Sequence, residues 1–214
     1  MMKRILTTVV LILMTLTGLN AQDIKFGVKS GLGFASIQIT NLPNSEINSD
    51  IFSPTMSYSF NGTFSYKSKG LWGISFEPGL IKKGWISNKE ENNENRIRLQ
   101  YFQLPVLSDF YFSDKLYFSI GPEINYLLNA KNKSNNATQK ITDLNRKLEL
   151  SGVVGGAYKV SDILDIGIRY SHGLTQISDK VFWVTDDFNE NPKELKDYNH
   201  YLQFFIQLKV INLR

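Results

Sequence analysis

From residue 24 onward, apolar and polar residues alternate with a period of two. No stretch keeps the 3.6-residue period long enough to make a useful amphipathic helix. Such alternation places one residue type on each face of a pleated strand. Eight segments carry it. The first, Ile24 to Ile39, sets Ile24, Phe26, Val28, Leu32 and Phe34 against Lys25, Gly27, Lys29, Gly31 and Gly33. The second, Pro54 to Lys67, sets Met56, Tyr58, Phe60, Phe64 and Tyr66 against Ser57, Ser59, Asn61, Thr63 and Ser65. The third, Leu71 to Ile86, sets Trp72, Ile74, Phe76 and Leu80 against Gly73, Ser75 and Glu77. The fourth, Arg96 to Phe112, is irregular. Ile97 and Leu99 share a parity with Gln103 and Asp109, so a bulge near Tyr101 is expected to switch its faces. The fifth (Lys115 to Leu128), sixth (Leu148 to Val160), seventh (Leu164 to Ile177) and eighth (Tyr198 to Ile211) alternate cleanly.

The connections form a second pattern. Lys67 to Gly70, Phe112 to Asp114 and Lys159 to Ile163 are tight. Thr40 to Ser53, Ser87 to Asn95, Asn129 to Lys147 and Ser178 to Asp197 are long and polar. Short and long alternate strictly, which is the asymmetry of barrels with short periplasmic turns and long surface loops. The expected fold is all-β: an eight-stranded antiparallel up-and-down transmembrane β-barrel with both chain ends on the periplasmic side.

Periodicity alone does not say which face is outside. A soluble ligand-binding barrel puts its apolar face inward, and a membrane barrel reverses this. The apolar face is nearly unbroken. Tyr58, Tyr66, Trp72, Tyr126, Tyr158 and Tyr170 stand near strand ends, where interfacial rings belong. The opposite face carries Lys25, Lys29, Glu77, Glu123, Glu149, Arg169 and Lys209, which suit a lumen where charges pair. The membrane reading is favoured over the soluble one. Eight strands leave room only for side chains, so the lumen is expected to be a packed polar core. Glu77, Glu123 and Arg169 are expected to form a buried charge network within it; a proton or ion path is the less favoured reading.

The chain has 214 residues, of which 42% are hydrophobic and 13% aromatic, a composition that argues against disorder. It contains no cysteine, which removes disulfides, thiolate chemistry and Cys-zinc sites. Lys3 and Arg4 precede an apolar run from Ile5 to Leu19, too short for a comfortable membrane helix and followed by Ala21. Residues 1–21 are expected to be a cleaved signal peptide, and residues 22–214 the barrel domain. Without Lys3 and Arg4 the formal charge falls from +4 to +2, and no basic cluster forms a nucleic-acid footprint.

Candidate chemistry is sparse. The two histidines, His172 and His200, have no ligand-spaced partners in the sequence, so no metal site is expected, and no cofactor either. Ser171 and His172 are adjacent and so point to opposite faces of a strand, which forbids a nucleophile–base pair. No enzyme is expected; a rim enzyme acting on lipid A is the weaker alternative. Gly27, Gly31, Gly33, Gly152, Gly155 and Gly156 read as closely packed barrel positions. Lys131, Lys133, Lys140, Arg146 and Lys147 make the third long loop basic; a solvated loop is the favoured reading, and contact with lipopolysaccharide phosphates the alternative. Phe182, Trp183 and Phe188 in the fourth either pack onto the barrel rim, the favoured reading, or mark a partner-binding loop. The expected surroundings are outer-membrane lipid and lipopolysaccharide, with a protein of the envelope as a possible partner.

Four stretches resemble the small outer-membrane β-barrel family of Bacteroidetes often called PorT-like. Tyr101-Phe102-Gln103-Leu104-Pro105-Val106-Leu107 is similar to its Y-L-E-I-P-L-L strand, and Ser119-Ile120-Gly121-Pro122-Glu123 to its G-P strand. Gly152-Val153-Val154-Gly155-Gly156-Ala157-Tyr158 is similar to its glycine-rich strand, and Arg169-Tyr170-Ser171-His172-Gly173-Leu174-Thr175 to its R-Y-x-x-G-L-T strand. The resemblance implies an outer-membrane barrel. It also raises an accessory role in type IX secretion and gliding, the apparatus with which the family's eponymous protein is associated.

Overall fold

The computed structural model describes residues 23–40, 52–87, 95–134, 137–178, 181–183 and 193–213. Residues 1–21, the expected signal peptide, lie outside them. The strands are β1 (Asp23–Thr40), β2 (Phe52–Lys67), β3 (Trp72–Phe76), β4 (Gly79–Ser87), β5 (Asn95–Tyr111), β6 (Leu116–Ser134), β7 (Ala137–Lys140), β8 (Leu148–Lys159), β9 (Leu164–Gly173), β10 (Val181–Trp183) and β11 (Lys193–Leu213). Consecutive long strands pair antiparallel from β1 through to β11, and β11 pairs back onto β1. The long strands therefore close into a ring, while among the described residues the short β7 and β10 pair on one side only, with β6 and β11.

β3 and β4 together make one stave, since both pair with β2 on one side and β5 on the other. With that pair counted once, the ring has the eight staves expected from the alternation. The stave breaks at Glu77-Pro78, where proline cannot donate to a ladder. The break is bridged: Glu77 N–H donates to Pro105 O at 3.1 Å, and Gly62 N–H donates to Pro78 O at 2.9 Å.

The faces sort as the alternation requires. Leu32, Phe34, Phe60, Leu80, Ile120 and Phe204 point outward and are exposed, while Lys29, Asn61, Glu77, Glu123, Asp165 and Gln203 are buried inside. The small inward residues of β1 let the wall close tightly. A Cβ on Gly31 would fall 1.7 Å from Gln203 Nε2, and one on Gly33 would fall 1.9 Å from Leu202 O. Gly152 and Gly156 are different. A Cβ there meets nothing nearer than 3.9 Å and 4.0 Å respectively, so the tight packing expected of them is not found.

Four further expectations are corrected. The bulge near Tyr101 sits on the partner strand: Gln100 pairs with Asn129 and Tyr101 with Leu127, leaving Leu128 as the extra residue in β6. β5 therefore keeps one parity throughout, with Leu99, Tyr101, Gln103, Leu107 and Asp109 all inward. The lumen is accordingly not polar throughout. Toward its surface end it is closed by an apolar cluster that includes Ala35, Ile37, Ile81, Trp85, Leu99, Tyr101, Leu127 and Tyr201. The third long loop is largely structured. β6 runs on to Ser134, β7 folds back against it, and a 3-10 turn follows at Thr142–Leu144. Finally, the seventh stave leaves its ladder at Gly173, and Ile177 turns inward to join the apolar cluster.

Candidate functional site

Two trios of buried charge fill the lumen below the apolar cap. In the first, Lys29 on β1 and Arg169 on β9 converge on Glu77 at the break between β3 and β4. Arg169 Nη1 donates to Glu77 Oε2 at 2.7 Å and Nη2 to Oε1 at 3.0 Å; Lys29 Nζ donates to Oε1 at 2.5 Å. The fork of the guanidinium matches the carboxylate, which makes this the strongest kind of charge-assisted pair. The Lys29 ammonium and the Arg169 guanidinium also lie 4.3 Å and 5.3 Å from the Phe205 ring centroid. That ring projects inward over Gly167, where a Cβ would fall 2.4 Å from it.

In the second trio, Lys83 on β4 lies between two carboxylates. Its Nζ stands 3.4 Å from Glu123 Oε1 on β6 and 3.3 Å from Glu149 Oε1 on β8. Neutral side chains add to these contacts. Glu123 Oε1 also accepts from Ser171 Oγ at 3.1 Å and Asn125 Nδ2 at 2.9 Å, and the second oxygen of Glu149, Oε2, accepts from Asn199 Nδ2 at 2.6 Å. The trios thus carry opposite formal charge, two cations on one carboxylate and one cation between two. Nearer the periplasmic end, Asp165 accepts from Lys209 Nζ at 2.5 Å and Tyr117 Oη at 3.0 Å.

The structure joins Glu77 to Arg169 but places Glu123 in the second trio. Lys83 is not singled out in the sequence, because the inward positions of that stave are followed there only as far as Glu77. Its parity, two residues from Ile81 and Trp85, was the available signal.

The outer rim holds the remaining candidates. Lys131, Lys133, Lys140, Arg146 and Lys147 are all exposed. Lys131 pairs across the ladder with Arg98 on one side and Lys140 on the other, so three cations form one row on the face opposite the buried Leu99 and Ala130. Lys133 faces Arg96 in the next outward row. Arg98 was not anticipated, because strand register decides it and the sequence does not show register. Arg146 and Lys147 lie apart from this row, tied by backbone bonds to Ile177 and Leu127. Of the fourth loop, Phe188 lies outside the described residues. Phe182 and Trp183 are described only as backbone rungs opposite Glu194 and Lys193.

Ser171 and His172 part to opposite faces, Ser171 into the lumen and His172 outward. The register also sets His172 directly opposite His200, a pairing invisible in the spacing of the sequence.

A closed antiparallel ring with an apolar outside and a charged, hydrogen-bonded inside is built for a hydrocarbon surround. In water such an exterior would be an apolar patch far beyond the few hundred Å² that soluble proteins tolerate. These features define an outer-membrane type of β-barrel. Residues 20–179 match the family model described as outer membrane protein beta-barrel domain, and the chain belongs to that family. Among solved structures, Neisserial surface protein A (NspA) aligns with a TM-score of 0.54 at 11% identity, covering 86% of this chain and 97% of that one. The attachment invasion locus protein Ail of Yersinia pestis aligns with a TM-score of 0.43 at 13% identity, covering 89% and 100%. No curated protein sequence matches the chain. The protein is located in the bacterial outer membrane.

Proposed function

We propose that this chain is a sealed, non-catalytic barrel whose outward basic face holds the phosphates of surrounding lipopolysaccharide. One observation carries the reading: the row Arg98–Lys131–Lys140 on three adjacent strands. Like charges directly opposite in a sheet destabilise it, so the row costs stability until an anion offsets the repulsion. Lys82 adds a cation lower on the same wall, its Nζ 5.4 Å from the Tyr58 ring. The two lumen trios support the sealed reading, because they fill the interior with paired charge beneath an apolar cap. The expected leader at residues 1–21 would deliver the chain to the periplasm.

The test is binding of the full protein in detergent to bis-phosphorylated lipid A and to lipid A stripped of phosphate. Preference for the phosphorylated form, weakened by salt and lost in the R98Q/K131Q/K140Q variant, is expected. Equal binding of both forms would overturn the reading.

Four ordered motifs favour a second, finer reading, a PorT-like barrel accessory to type IX secretion. Its test is the extracellular proteome of a deletion strain, with cargo loss restored by complementation.

A further inference from the structure

Outside the lumen and the basic row, a group of polar side chains converges on the outward face of β9 and β11. His172 and His200 face each other across the last rung of the β9–β11 ladder, and Tyr170 stands two residues below His172 on the same outward face. Their polar atoms form a triangle. His172 Nδ1 and His200 Nδ1 are 3.0 Å apart, Tyr170 Oη is 2.8 Å from His200 Nδ1, and Tyr170 Oη is 3.5 Å from His172 Nδ1. The ring centroids of the two imidazoles are 4.7 Å apart.

We propose that the Nδ1 atoms of His172 and His200 form the bite of a divalent transition-metal site, with Tyr170 Oη at its edge. Three points support this. First, the triangle has a circumscribed radius of about 1.8 Å, so a point about 2 Å from all three atoms exists just off their plane, at the length of a zinc–imidazole bond. Second, imidazole nitrogens suit zinc, copper and nickel, and the affinity order favours copper over zinc. Third, both histidines point away from the lumen and are only half-buried, outside the packed interior. Binding requires both Nδ1 atoms unprotonated, so both Nε2 atoms carry the proton.

The place gives the site a consequence. His172 and His200 form the last rung of the β9–β11 ladder, and beyond it Ile177 N–H and Ser178 N–H both donate to Asp197 Oδ1, at 3.2 Å and 3.1 Å. A metal there would add a side-chain tie between the two strands just below that contact.

The test uses untagged full-length protein in detergent. Zn²⁺ is titrated against a chromophoric chelator, and Cu²⁺ is followed by electron paramagnetic resonance. One equivalent of Zn²⁺ is expected, weakened at least tenfold in His172→Ala and in His200→Ala and less in Tyr170→Phe. The Cu²⁺ spectrum is expected to show two equivalent nitrogen couplings that vanish in the double histidine variant. All three side chains lie outside the packed interior, and retained heat-modifiable migration would confirm that the variants fold. Unchanged Zn²⁺ affinity in the double variant would overturn the site and leave a hydrogen-bonded trio.

Discussion

Removing Arg169 would leave Glu77 as a buried carboxylate with Lys29 as its remaining charge partner among the described residues. Arg169 supplies two of the three charge-assisted bonds to that carboxylate, at 2.7 Å and 3.0 Å. Breaking a buried pair by removing one partner costs about 3–5 kcal/mol, because the survivor stays desolvated. Here Lys29 remains at 2.5 Å, so Arg169→Met is placed at the lower end, about 3 kcal/mol. Lys29→Met leaves the bidentate pair intact and should cost less, about 1.5–2 kcal/mol, at the lower end of the worth of one hydrogen bond to a charged group. The assay is urea unfolding of the barrel refolded into lipid vesicles. It would be followed by tryptophan fluorescence, since Trp85 reports from the apolar cap and Trp72 from the outer wall. A double-mutant cycle with Glu77→Gln isolates the coupling, expected at about 1.5–3 kcal/mol for groups in one network. Singles within about 0.5 kcal/mol of wild type, or no coupling, would mean that water reaches the lumen and screens the trio. The packed-core argument would then fail.

Three other outcomes follow from the same geometry. Gly33→Ala should destabilise the barrel by about 1–3 kcal/mol in the same urea assay, because its Cβ is driven against the Leu202 carbonyl oxygen. Gly156→Ala should change stability by less than about 0.5 kcal/mol, its Cβ meeting nothing closer than 4.0 Å. In planar bilayers the protein should show no steady conductance step. Lys83→Met should not create one, since the cap formed by Trp85, Leu99 and Tyr101 stays in place; a regular open state in either would refute the sealed lumen.

Most of the fold was legible because the barrel has one repeating rule. An inward residue every second position is enough to assign Lys29, Glu77, Glu123, Glu149 and Arg169 to one interior. Two things were not legible. One is which inward residues meet. That depends on stagger between strands, which brings Glu77 to Arg169, and Lys83 to Glu123 and Glu149, across large sequence distances. The other is where the interior changes character. Leu99 and Tyr101 share the parity of Gln103 and Asp109, and in one strand this looks like a broken pattern. In three dimensions it is one face crossing from an apolar cap into a charged lumen. Register also hid the rim features. Arg98 beside Lys131 and His172 beside His200 are neighbours only once strands pair.

The same geometry limits how this protein can act on anything else. The outer wall between the rims presents side chains such as Leu32, Phe60, Ile120 and Phe204, which meet lipid. Among the described residues the interior is filled by two trios and a cap, apart from a small polar cavity at the short-turn end bordered by Lys25, Asp109, Tyr117 and Asp165. What remains is the loop-side rim, the strand extensions that carry the basic row, and the short turns at the other end. A role in secretion would therefore have to run through the rim or those turns. The R98Q/K131Q/K140Q variant separates the two. If secretion fails on deletion yet survives in this variant, the contact lies at the turns or elsewhere on the rim. If it fails in both while the barrel still assembles, the basic row serves a protein partner as well as lipid. If deletion leaves the extracellular proteome unchanged, the secretion reading falls and the lipid-binding reading stands alone on its own assay.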